Sequence, residues 1–185
     1  MSESIDILLV EDDPADVLLA LTVFRAMGIA ERCAVANDGE EAMDFLRSRR
    51  RFAQRAPGLP ALILLDLKMP RVNGFDFLHQ IKADDGLRLI PVIALTSSRE
   101  ERDIERAYDL GVNGYVVKGI DFGDYRSTLQ ALAQYWGSVN ERPPGLAQHS
   151  SMVGIGSAFK KARRNCATVC NLWLWPTVAV LINEF

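Results

Sequence analysis

Short apolar runs alternate with longer amphipathic runs five times between residues 5 and 136, and this alternation constrains the fold more than any single motif. The apolar runs cover residues 5–10, 32–36, 61–65, 91–95 and 114–117, each of strand length. Helix-period runs cover residues 14–27, 39–50, 74–83, 98–110 and 121–136. The punctuation agrees with these assignments. Asp13 stands at an N-cap position, Pro14 at the first helical position and Gly28 just past the end. Gly111 stops the fourth helix in the same way. Asn37-Asp38-Gly39 reads as a turn, and residues 47–60 mix basic residues with Pro and Gly in a loop longer than most. Inward stripes fall on Ala42, Phe45 and Leu46, and again on Phe75, Leu78 and Ile81. Five strand–helix pairs imply an α/β fold, a doubly wound five-stranded parallel sheet. Right-handed crossovers of this length lay their helices on the sheet faces.

In such a sheet the carboxyl ends of all strands meet at one edge, where ligands bind. Four of the five strands deliver a chemically active side chain there. The first ends in Glu11-Asp12-Asp13, the third in Asp66, the fourth in Thr96-Ser97-Ser98 and the fifth in Lys118. Taken singly, each has an ordinary explanation. Asp66 and Asp13 suit turns and caps, Thr96 could start a helix, and Lys118 could sit in a surface ion pair. Their placement at neighbouring strand ends is what points to chemistry. Several carboxylates in one place repel one another and call for a cation, and an all-oxygen donor set suits Mg²⁺. A hydroxyl and an ammonium facing the same point suit a phosphoryl group. The combination describes phosphoryl transfer onto the Asp66 carboxylate as nucleophile.

The same residues sit in longer stretches that resemble the receiver domain of two-component response regulators. These are Leu9-Val10-Glu11-Asp12-Asp13-Pro14, Leu65-Asp66-Leu67-Lys68-Met69-Pro70, Asn73-Gly74, Ala94-Leu95-Thr96-Ser97-Ser98 and the run from Gly111 to Lys118. The resemblance covers residues 4–138. It implies a flavodoxin-like (βα)5 fold with strand order 2-1-3-4-5. It implies that Asp66 is the phosphoacceptor from a histidine kinase, and that Asp12, Asp66 and the Lys68 backbone carbonyl hold Mg²⁺, with Glu11 acting through a bound water. Thr96 and Lys118 contact the phosphoryl oxygens in this scheme. Tyr115 is the aromatic switch, and the surface of the fourth helix, fifth strand and fifth helix changes shape. Asp13-Pro14-Ala15-Asp16-Val17, the run from Asp38 to Arg47, Arg106 to Gly111, the basic loop and Gln134-Tyr135-Trp136 look like small receivers paired with phytochrome-type kinases. That subgroup often dimerises, and Tyr125 is an expected exposed contact on the switching surface. One departure stands out. The family usually has a cis proline after the lysine, whereas Lys118 is followed by Gly119. A cis bond before a non-proline residue costs about 2.5–4 kcal/mol, so a trans bond is expected, which puts the aim of Lys118 in question.

Two other readings compete. A phosphatase using an aspartyl-phosphate generally carries a second Asp two residues after the nucleophile, and Lys68 occupies that position here. A degenerate receiver, binding partners without phosphorylation, would lack one of Asp66, Thr96 and Lys118, and all three are present. The favoured protein is therefore a phosphoacceptor with weak self-dephosphorylation and not an enzyme in the usual sense.

Charge is uneven along the chain. The net charge of −3 hides four basic residues (Lys160, Lys161, Arg163 and Arg164) against Glu184 in residues 151–185, leaving −6 for the first 150. An acidic domain argues against direct nucleic-acid binding. Three scattered cysteines suit a reducing cytoplasm, and no secretory signal opens the chain. Residues 139–150 read as a linker, and residues 151–185 as a basic then apolar tail without an output domain. The apolar run 166–182 is at the short limit for a membrane span and contains Asn171 and Pro176. Membrane contact is not the expectation. Cys166 and Cys170 lack partners for a metal site and read as small hydrophobes.

Overall fold

A computed structural model of the protein describes residues 6–143 except residues 71 and 120. Residues 144–185, which hold the expected tail with Cys166 and Cys170, lie outside the described residues. Within the described region, strands β1 (Ile7–Val10), β2 (Cys33–Ala36), β3 (Leu62–Leu65), β4 (Val92–Thr96) and β5 (Gly114–Val117) alternate with five helices. These are α1 (Pro14–Ala26), α2 (Gly39–Leu46), α3 (Gly74–Ala83), α4 (Glu101–Asp109) and α5 (Phe122–Gln134). All strand pairs are parallel and the order is β2-β1-β3-β4-β5, as expected.

Side chains alternate across a strand, and the two cores follow from that. Leu8, Val10, Ile63 and Leu65 face one way and pack with Phe45 of α2 and Phe77, Leu78 and Ile81 of α3. Ile7, Leu9, Leu62 and Leu64 face the other way, against Phe24 of α1 and Leu129 of α5. The central strands β1, β3 and β4 are therefore buried throughout, and apolar but for the terminal Thr96, the signature of strands covered on both faces.

Two helix ends differ from expectation, one for a backbone reason and one for a side-chain reason. Helix α2 was expected to reach Arg50 but ends at Leu46. Ser48 and Arg50 take positive φ of 51° and 50°, which a helix does not tolerate. The following loop is held by its arginines. Arg55 donates to the carbonyls of Phe45, Ala56 and Gly58, and Arg51 donates to Val35 on the edge strand. Phe52 meets Phe45 edge-on, with centroids 5.2 Å apart. Helix α4 begins at Glu101, not Ser98, because Ser98 is used in the preceding turn. Its N–H donates to Thr96 Oγ1 and its hydroxyl to Asp103.

The chain past α5 does not leave the body at residue 139, where the linker was expected. A π-helical turn spans Tyr135–Val139, and Arg142 then pairs with Asp6 at 2.9 Å. Asp6 is buried and also pairs with Arg32, so the first few residues of the expected linker are fastened beneath β1.

Tyr125 corrects an expectation. It is 3 % exposed and belongs to the core between α5 and the sheet, so it is no surface contact. Among the described residues, Tyr108 and Tyr135 are exposed aromatics instead. The Tyr125 hydroxyl is buried with no hydrogen-bond partner among the described residues. Burying an unbonded hydroxyl costs about 1–3 kcal/mol. Tyr125→Phe is therefore expected to leave stability unchanged or raise it by up to about 1 kcal/mol, read as the urea midpoint. A clear loss would mean that the hydroxyl has a partner.

Candidate functional site

The acidic half of the site is built by β1 and β3. Parallel pairing sets Val10 beside Leu65, so Glu11, Asp12 and Asp66 emerge together at the carboxyl edge. The backbone keeps them there, since Glu11 N–H donates to Ala36 and Asp66 N–H to Val10. Carboxylate oxygens of Glu11, Asp12 and Asp66 all lie within 4.8 Å of one another, with Glu11 and Asp66 buried and Asp12 half-buried. Asp13 stays outside and caps α1 by accepting from Ala15 N–H at 2.7 Å.

Asp66 uses its two oxygens differently. Oδ1 accepts from Lys68 N–H at 3.0 Å, so the turn role of this residue is real. Oδ2 accepts from Lys118 Nζ at 2.7 Å. That turn needs Gly74. A Cβ there would stand 2.3 Å from the Asp66 carbonyl oxygen and 2.6 Å from Leu67 Cα, so α3 can start this close to β3 only on glycine.

The cationic half comes from β5. Lys118 N–H donates to the Thr96 carbonyl at 2.8 Å, extending the β4–β5 ladder to the sheet edge. Its ammonium donates at 2.7 Å to each of Glu11, Asp16 and Asp66. Burial opposes the ammonium, but hydrogen bonds to Asp16, Asp66 and Glu11 outweigh it and hold the lysine pKa well above its usual range. Burial pushes the Glu11 carboxyl up to about 7, against the pull of Lys118. The peptide bond between Lys118 and Gly119 is trans, yet Lys118 still reaches Asp66. Gly119 has its own reason to be glycine. A Cβ there would lie 2.8 Å from Asp124 Cβ and 2.9 Å from Tyr125 N, so its absence lets the start of α5 close onto the loop and seat Tyr125 behind the cluster.

Thr96 is fully buried at the end of β4, its hydroxyl oxygen accepting from Ser98 N–H at 3.3 Å. Tyr115 is half-buried against the α2–α3 core and donates to the Ser98 carbonyl at 3.1 Å. Thr96 and Tyr115 thus bond the same residue from two strands. The Lys68 side chain is directed to the start of α4, within 3.8 Å of Glu100 and 3.7 Å of Asp103. Asp16 was not foreseen as a site residue. The signal was present, because the first turn of a helix that follows a strand starts at the same sheet edge.

The site therefore offers a buried carboxylate between an acidic cluster and an ammonium, with a buried hydroxyl on the adjoining strand. A model of the response regulator receiver domain matches residues 7–130. The chain belongs to this family. It is 39% identical over 137 residues to the probable methanogenesis regulatory protein FilR2 of Methanothrix harundinacea, covering 74% of this chain and 86% of that one. The crystal structure of the phosphorylated cyanobacterial phytochrome response regulator RcpA matches with a TM-score of 0.70 and 34% identity. That match covers 76% of this chain and 99% of the other. The Mn²⁺-bound form of response regulator Rcp1 matches with a TM-score of 0.67 and 35% identity, covering 74% and 97%. The likeness to phytochrome-associated regulators read from the motifs is thereby supported at the level of whole folds. Receiver domains act as phosphoacceptors and not as enzymes of the ordinary kind. Among the described residues no helix is long and apolar enough to cross a membrane.

Proposed function

We propose that this response regulator takes a phosphoryl group from a histidine kinase onto Asp66, and that the surface formed by α4, β5 and α5 then changes shape. The observation that carries this is the Asp66 carboxylate itself, buried beside Glu11 and Asp12 and met by Lys118 at 2.7 Å. In the transfer, an Asp66 oxygen bonds to phosphorus as the phosphorus–nitrogen bond of phosphohistidine breaks, and the imidazole leaves with the electron pair. Lys118 already donates to the Asp66 carboxylate and so stands beside the oxygens of a phosphoryl group placed on it, and Thr96 stands at the neighbouring strand end. The donor set of Glu11, Asp12 and Asp66, all oxygen and strongly negative, fits a small hard divalent cation. Mg²⁺ held there by Asp12, Asp66 and the Lys68 carbonyl, with Glu11 reached through water, would neutralise charge on the transferring group. The partner is a histidine kinase, of phytochrome type by likeness to RcpA, and a second copy is the candidate for the exposed Tyr108 face.

A phosphoryl group adds charge and acceptor oxygens at Asp66, and it shifts the protein between two states only as far as it binds one better. Thr96 and Tyr115 meet at Ser98, which gives a displacement of Thr96 a direct route to Tyr115 and the α4 side. The phosphorylation-independent reading is disfavoured by the aim of Lys118, and the phosphatase reading by the direction of the Lys68 side chain.

The deciding experiment is incubation with Mg²⁺ and acetyl phosphate followed by intact-mass measurement. Wild type should gain one phosphoryl group and Asp66→Asn none; no gain in wild type sinks the proposal. Acidity supplies a second check. Mg²⁺ prefers ionised carboxylates and releases protons when it binds protonated ones. Because the Glu11 carboxyl is raised to about 7, Mg²⁺ affinity should strengthen as pH rises through 7 and weaken below it. Calorimetry in buffers of different ionisation heat should show proton release at and below about pH 7, where the Glu11 carboxyl holds its proton. In Glu11→Gln that release should shrink.

A further inference from the structure

We infer that Asp16 is a positioning residue, the acceptor that keeps Lys118 in place while Asp66 is phosphorylated; the inference rests on the phosphoacceptor reading above. An ammonium has three N–H donors, and those of Lys118 are all spent, on Glu11, Asp16 and Asp66, each at 2.7 Å. The three acceptors do not have equal futures. Asp66 Oδ2 belongs to the carboxylate that becomes an acyl phosphate. Glu11 belongs to the acidic cluster that takes the cation. Asp16 belongs to neither. It sits in the first turn of α1, outside the cluster, and its bond to Lys118 has no competing claim.

The loop around Lys118 also lacks another restraint. Gly119 follows it in a trans bond, without the ring that would stiffen a proline. What fixes the lysine on the far side is its backbone bond to Thr96 and the close seat of α5 on Gly119. Neither of these aims the four-carbon side chain. Asp16 does, and it pulls the ammonium from the α1 side, so that a donor swinging from Asp66 to a phosphoryl oxygen pivots about a fixed point. Without Asp16, Lys118 collapses onto Glu11 and Asp66 and must be freed before it can reach a phosphoryl group.

The test uses beryllium fluoride, a phosphoryl mimic, with the full chain. Affinity is read from ¹⁹F signals at saturating Mg²⁺, alongside the affinity for Mg²⁺ alone and the melting temperature. Losing one charge-assisted hydrogen bond at a partly exposed acceptor should weaken beryllium fluoride binding about tenfold in Asp16→Ala. Asp16→Asn, which keeps a neutral acceptor of the same shape, should fall between the two. Mg²⁺ affinity alone should stay within about threefold of wild type, because Asp16 lies outside the cation cluster. The ¹⁵N-edited signal of the Lys118 ammonium, sharpened by three fixed bonds, should broaden in Asp16→Ala. Unchanged beryllium fluoride affinity in both variants overturns the assignment. So does a parallel fall in Mg²⁺ affinity and melting temperature, which marks a merely structural role. If wild type itself binds no beryllium fluoride, the phosphoacceptor reading fails first, and that result is separate from any difference between variants.

Discussion

Lys118→Met should slow phosphoryl uptake from acetyl phosphate by about a hundredfold or more, the usual cost of removing one preorganised charge donor from a transition state. The substitution keeps most of the side-chain volume and removes the cation that pairs with Glu11, Asp16 and Asp66. Breaking a buried ion pair from one side costs about 3–5 kcal/mol, but Asp16 is partly exposed, and the loss should be nearer about 2–3 kcal/mol. The pH dependence has a definite sign. The Lys118 pKa is raised, so its contribution is present throughout the neutral range. The carboxylates it leaves behind can escape by taking protons, and Glu11, already near 7, is the first to do so. The stability loss in Lys118→Met should therefore be largest near pH 8 and shrink toward pH 6. Added Mg²⁺ should recover part of it at pH 8, because a divalent cation replaces the missing charge. Urea unfolding at the two pH values, with and without Mg²⁺, measures this directly. A loss that is the same at both values would mean that Lys118 acts by packing and not by charge.

The site was legible in the sequence to the extent that it lies on strand ends. Glu11, Asp12, Asp66, Thr96 and Lys118 each lie at or within two residues of the end of a strand, and a parallel sheet brings such positions to one edge whatever the details of packing. Asp16 and Tyr125 were not legible in the same way. Both sit on helices, and what a helical residue faces depends on how far the helix is rolled and how closely it approaches the sheet. For α5 that approach is set by Gly119, whose missing Cβ makes room for Asp124 and Tyr125. Tyr125 is turned inward as a result, while a reading of α5 as a partner surface had it outward. The basic loop was legible as a loop but not as an ordered one. Composition shows Arg51 and Arg55, but it is their fold that sets them donating to the carbonyls of Val35, Phe45 and Gly58. The direction of Lys68 was hidden for a similar reason, since its partners Glu100 and Asp103 lie across a loop from it.

Gly74→Ala should be the most damaging small substitution in the described region. In most helices the exchange is favourable by up to about 1 kcal/mol, since alanine is the better helix former. Here the added Cβ would stand 2.3 Å from a backbone oxygen and 2.6 Å from a backbone Cα. Neither can swing aside as a flexible side chain would, so the β3–α3 turn has to open. Overpacking against backbone costs about 1–3 kcal/mol and sometimes more, which outweighs the helix propensity and leaves a net loss of about 2 kcal/mol. The functional loss should exceed what stability alone implies. The oxygen that is struck is the carbonyl of Asp66, and any movement there turns the carboxylate away from Lys118 and breaks the bond between Oδ1 and Lys68 N–H. Phosphoryl uptake by Gly74→Ala should accordingly fall at least about tenfold at temperatures where the variant is fully folded. Gly86→Ala is the matched control, because its Cβ would meet only the Asp84 side chain, at 3.3 Å. It should change stability by less than about 1 kcal/mol and leave uptake intact. If Gly74→Ala behaves like Gly86→Ala in both measurements, the close approach of α3 to β3 is not what aims Asp66.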